Sequence, residues 1–185
     1  MGTSRLSRRG VKPISRQISR APSPFVAYAA PWATVALASC LPGWPLIAMA
    51  PIMPPLGFMT LLAWRQLRPG LLPVWAGALL GLVDDLFSGQ PFGAAIALWS
   101  LTMIAMDVIE ARFPWRNFLT DWLVAGLFIA AYIALGWVIA SQSGGMIAPA
   151  LLVPQGVLAL VAYPMVGRTV GLIDRWRLMR FRVLG

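Results

Sequence analysis

The chain has no histidine, one lysine (Lys12), one cysteine (Cys40) and only six acidic residues in 185. Each scarcity removes a class of chemistry. With no histidine and a single thiol, there is no Cys/His ligand set for a metal and no disulfide framework. Acid–base catalysis built on histidine or lysine loses its players, because the one lysine stands in an arginine- and serine-rich N-terminal stretch. Charge as a whole is scarce. Charged residues make up 11% and hydrophobic ones 59%, with a mean hydropathy of +0.75, whereas a soluble domain carries about 25% charged residues. A core of this size cannot hide so much apolar surface, so the surrounding solvent is expected to be lipid. No enzyme activity, metal or cofactor is expected.

What the chain does have is a series of apolar runs, at about 25–41, 44–64, 71–87, 91–109, 118–140 and 146–167. A helix needs about 20 such residues to cross roughly 30 Å of hydrocarbon. The pattern predicts an all-α, polytopic integral membrane protein with about six transmembrane helices. Residues 1–24 read as a disordered basic tail, 25–174 as a single transmembrane domain, and 175–185 as a second basic tail. Prolines interrupt several runs: Pro31, then Pro51, Pro54 and Pro55, then Pro149, Pro154 and Pro164. Each kinks a membrane helix and frees a carbonyl that a neighbour can satisfy. The second run is therefore expected to be a broken or half-length span.

The net charge of +9 and pI near 11.5 invite a nucleic-acid reading, but the distribution of charge excludes it. Six basic residues precede Phe25 and five follow Val166; the other four form the pairs Arg65/Arg68 and Arg112/Arg116. The alternate connections carry none. With both tails in the cytoplasm all fifteen fall on one side, which selects an even number of crossings. Arg65, Arg68, Arg112 and Arg116 are thus expected to set topology and contact anionic lipids. Trp44, Trp64, Trp115, Trp122 and Trp176 fall near predicted helix ends, where indoles pack or anchor at the interface. One competing signal is Leu37-Ala38-Ser39-Cys40, which resembles a lipoprotein processing site; Arg8-Arg9 also weakly suggests a twin-arginine signal. The next apolar run starts too soon and the tail is too long for that reading, so six spans are preferred over five.

The most informative segment is 77–93, GALLGLVDDLFSGQPFG. Gly77, Gly81, Asp85, Gly89 and Gly93 recur at every fourth position, and the first three share one helix face. Gly77-xxx-Gly81 admits another helix backbone at close range. Asp85 adds a costly carboxylate to that face. Its charge could be offset by a donor on a partner helix, freed backbone N–H groups, water or headgroups, or it could cap the next helix. Asp84 points about 100° away and is expected to be more easily solvated, so the two aspartates are not read as a catalytic or metal-binding pair. Gly89 suits the position after a helix end and Pro91 the first turn of the next helix, which predicts a tight helical hairpin. Asp107, Glu110 and Asp121 are expected to pair at the surface with Arg112 and Arg116, and Asp174 with the terminal arginines. Asp121 also suits a helix N-terminus. The spans otherwise offer few polar side chains (Thr34, Thr60, Ser100, Thr102), which favours packing over solute recognition.

The run from Gly81 to Gly93 resembles the signature of the bacterial rod shape-determining protein MreD family, approximately G-L-x-x-D-x-x-S-G-x-P-L-G. Gly81, Asp85, Ser88, Gly89, Pro91 and Gly93 match it, and Phe92 replaces the usual leucine. Upstream, Pro55-Leu56, Leu61 to Arg65 and Arg68-Pro69 are similar to that family's short second span and its Arg/Pro loop. The resemblance implies a non-enzymatic, multi-pass inner-membrane subunit of the cell-wall elongation machinery. Its partners would be the scaffold MreC, the actin-like MreB filament, RodA and its transpeptidase, and its role would be in cell shape and peptidoglycan synthesis. The family's fold is similar to the six-helix substrate-binding subunits of energy-coupling-factor transporters, which supplies the alternative of a small-molecule-binding transport subunit. On the first reading, the face of Gly77, Gly81 and Asp85, with Gly89 and Gly93, docks the scaffold's membrane helix.

Overall fold

A computed structural model of the protein describes residues 24–41, 53–112, 117–142, 144 and 148–178. The N-terminal tail, Trp44, Trp115, Arg116 and the last seven residues of the C-terminal tail lie outside the described residues. Six α-helices follow in order: α1 (Pro24–Cys40), α2 (Leu56–Leu67), α3 (Ala76–Phe87), α4 (Ala94–Arg112), α5 (Phe118–Gln142) and α6 (Leu152–Arg177), the last preceded by one 3₁₀ turn (Pro149–Leu151). No strand occurs among the described residues. Among the described residues, three segments are long and apolar enough to cross a membrane: α4, α5, and Pro149–Arg177.

Two of the other helices, α2 and α3, are shorter than the apolar runs suggest. At 1.5 Å per residue, the twelve residues of α2 and of α3 each rise only about 18 Å. The expected half-length second span takes the form of α2, which starts after Pro54-Pro55. The third run is shortened as well, because Leu71 to Trp75 form turns rather than helix. At the other extreme, α6 continues ten residues beyond the expected end at Gly167, so Asp174 and Arg177 belong to the bundle, where both are buried.

The core is built around α2, whose residues from Gly57 to Arg65 are all buried. Phe58, Trp64, Trp99, Met59, Leu61, Leu62 and Met103 form its centre. Phe58 stacks on Tyr132 of α5 with centroids 4.3 Å apart, and Trp99 of α4 sits 5.9 Å away. Trp64 is not an interface anchor. It is fully buried and donates its indole N–H to Thr34 Oγ1 at 2.8 Å.

Pro164 lies inside α6 and cannot donate to the carbonyl four residues before it. That carbonyl, Leu160 O, accepts instead from Trp122 Nε1 of α5 at 3.1 Å. The kinking residue is thereby tied to its neighbour helix.

Candidate functional site

The α3–α4 hairpin is closely packed, backbone against backbone, and its glycines explain why. A Cβ at Gly77 would stand 2.8 Å from Trp99 O, and one at Gly81 only 2.7 Å from Ala95 O. Both obstacles are α4 backbone, so only glycine permits this approach. The glycine face expected to receive a partner's helix is filled by the chain's own α4.

Asp85 completes the same face and is 6% exposed. Its carboxylate accepts three backbone N–H groups: Ala95 at 2.8 Å, Gly93 at 2.9 Å and Ile96 at 3.2 Å. These amides open α4, where the first-turn donors lack intrahelical partners. Asp85 is therefore a capping residue supplied by the preceding helix, and its charge is further favoured by the positive end of the α4 dipole. Gly89 and Gly93 bend the connection with φ of +69° and +93°, a region that side-chain-bearing residues rarely adopt. Gly89 follows the Ser88 cap of α3, as expected. Pro91 does not enter the first turn of α4. It precedes that helix, and its carbonyl accepts from Ala94 N at 3.0 Å.

Asp84 departs from its expectation of easy solvation, because it too is 6% exposed. Tyr132 donates its hydroxyl to Asp84 Oδ2 at 3.4 Å and accepts from Gln90 Nε2 at 3.1 Å. Asp84 Oδ1 and the Ser39 hydroxyl both border the space a Gly57 Cβ would fill. A polar cluster thus joins the ends of α1 and α3 to α5, with no arginine paired to Asp84 among the described residues. Sequence reasoning missed Gln90 and Tyr132; neither carries a local signal, and only the fold brings them to Asp84.

A second constellation occupies the other end of the bundle, where α2, α4 and α6 finish. Arg65 is 3% exposed, pairs with Asp107 at 2.6 Å and Glu110 at 3.0 Å, and donates to Leu72 O at 3.1 Å. Asp174 binds Arg68 at 3.0 Å and Arg177 at 2.7 Å. Arg177 in turn lies over the Trp64 ring at 5.1 Å. These contacts correct two expectations. Arg65 does not face lipid, and Asp107 and Glu110 hold Arg65 and so fasten α2 to α4. Asp174 pairs with the terminal Arg177, as expected, and also with Arg68 at the end of α2. Arg112 is exposed at the end of α4, and Gln66 ties in α5 by donating to Asp121 O at 2.8 Å.

The chemistry available is that of packing. Thr34, Thr60, Ser100 and Thr102 all donate to carbonyls of their own helices at 2.6–2.8 Å and offer no donor to a solute. No group of His, Cys, Asp and Glu able to hold a metal occurs among the described residues. The family model for the rod shape-determining protein MreD matches residues 29–168. The chain belongs to the MreD family. It is a rod-shape-determining membrane protein, and its family is one of structural proteins rather than enzymes. The MreD match does not favour the transport-subunit alternative. No curated protein and no solved structure matches the chain.

Proposed function

We propose that the protein is a non-catalytic subunit of the cell-wall elongation machinery that binds an MreC-like scaffold in the bacterial inner membrane. Through that scaffold it acts with the MreB filament, RodA and its transpeptidase to direct peptidoglycan synthesis. The observation that carries this reading is that the signature residues Gly81, Asp85, Ser88, Gly89, Pro91 and Gly93 are spent on shaping one hairpin. Such a use suits a docking element, not a reaction centre.

On this reading Gly77, Gly81 and Asp85 hold α4, while Gly89 and Gly93 shape the turn. The scaffold meets the outward side of the hairpin, where Leu79, Leu86 and Phe92 are exposed. The fold proposed is one transmembrane domain, residues 25–174, with six crossings, both tails cytoplasmic and a likeness to energy-coupling-factor binding subunits. Six helices support the count, as does the gathering of Arg65, Arg68 and Arg177 at one end. Basic tails and the Arg112/Arg116 loop contact anionic lipid, not nucleic acid.

The test is co-purification with the scaffold, together with rescue of rod shape in cells lacking the native protein. Leu86→Arg should abolish scaffold capture while leaving the protein folded. Full capture and normal shape with folded Leu86→Arg would remove the proposed surface.

A further inference from the structure

Between α5 and α6, near the end of α2, a groove of about 590 Å³ opens at the surface. Its α6 wall is Pro164, Gly167, Arg168, Gly171, Leu172 and Arg175, spaced by threes and fours and so aligned on one helix face. A Cβ built at Gly167 or Gly171 meets nothing within 4 Å. These glycines therefore leave an open channel, unlike Gly77 and Gly81, which seat a helix. Phe118 and Trp122 form the opposite wall, and Gln66 and Tyr163, joined by a 2.6 Å hydrogen bond, also line it. Arg168 and Arg175 are exposed and make no ion pair among the described residues. Asp121 is the single carboxylate in the lining. The seven-position separation of the two arginines places Arg168 about 10 Å further from the end of α6. A guanidinium on a membrane-facing groove at that position calls for an anion.

We infer that this groove is a binding site for an anionic phospholipid, with Arg168 and Arg175 holding the headgroup phosphate and an acyl chain lying over Gly167 and Gly171. Apolar fill alone would accept any lipid. Two unpaired arginines on the rim, at the end of the bundle where basic residues gather, select a negative headgroup. The inference rests on the protein lying in a membrane, not on its role in cell shape.

The test is native mass spectrometry of the full-length protein in mild detergent, with phosphatidylglycerol or phosphatidylethanolamine added in separate arms. The wild type should retain phosphatidylglycerol in preference to phosphatidylethanolamine. Arg168→Gln/Arg175→Gln should lower phosphatidylglycerol retention at least about tenfold, the scale of two arginine–headgroup contacts. Gly171→Leu, which fills the channel but keeps both arginines, should also lose the lipid, and it decides the matter if the double variant fails to fold. Undiminished phosphatidylglycerol retention in the folded double variant overturns the site, as does equal retention of the two lipids by wild type. Shape rescue is scored separately, so either reading can fail while the other stands.

Discussion

Asp85 shows how one side chain decides a local structure. Its three accepted N–H groups belong to residues eight to eleven positions further on, so its role exists only once the hairpin closes. Capping side chains are each worth about 0.5–2 kcal/mol, and a buried donor left bare costs about 1–3 kcal/mol. Asp85→Ala should therefore destabilise the protein by about 2–4 kcal/mol, with Asp85→Asn milder because one carbonyl oxygen can still accept; detergent-phase unfolding measures both. The glycines differ by what surrounds them. Gly81→Ala forces a Cβ into α4 backbone and should cost about 1–3 kcal/mol. Gly156→Ala, where a Cβ meets nothing within 4 Å, should stabilise α6 by about 0.5–1 kcal/mol. The four-residue spacing revealed which side chains share a face. It could not reveal that Asp84 would be buried beside Tyr132, because that depends on where α5 packs.

Among the helices, α2 is the hub despite its twelve residues. Its end carries Arg65, whose guanidinium serves Asp107, Glu110 and a backbone carbonyl at once. Lysine has one nitrogen and lacks that planar fork, so Arg65→Lys should lose stability nearly as Arg65→Gln does. Asp174→Asn should be more damaging, at about 3–5 kcal/mol, because it leaves the buried Arg177 without its carboxylate. Unfolding of the purified variants, ranked against wild type, checks both. Trp122→Phe preserves the ring but strips the donor from the carbonyl that Pro164 frees, and should cost about 1–3 kcal/mol. That prolines inside spans need outside partners was legible in the chain, whereas the identity of the partner was not. The charged pairs show the same limit: nearness in sequence found the Asp174–Arg177 pair, but not that Asp107 and Glu110 hold Arg65 on another helix.

At the scale of the molecule, polar groups gather at two ends. The Asp84–Tyr132 cluster and the α3–α4 turn mark one; the Arg65, Asp174 and Arg177 network marks the other. If the arginine-rich end is cytoplasmic, single cysteines at Phe92 or Gln142 in a Cys40→Ala background should label from the periplasm. Cysteines at Leu67 or Arg112 should label only after the cells are opened. The reverse pattern, or labelling of all four from one side, would overturn the proposed topology. Composition alone determined that the protein lies in lipid and is helical, because apolar runs with so few charges have no other stable solvent. The spacing from Gly77 to Gly93 determined a close-packed hairpin, because only glycine admits backbone contact and positive φ. Tertiary structure alone decided which surface that hairpin uses up and which acids Arg65 and Arg68 hold. Those outcomes depend on contacts between residues tens of positions apart, and local pattern carries no record of them.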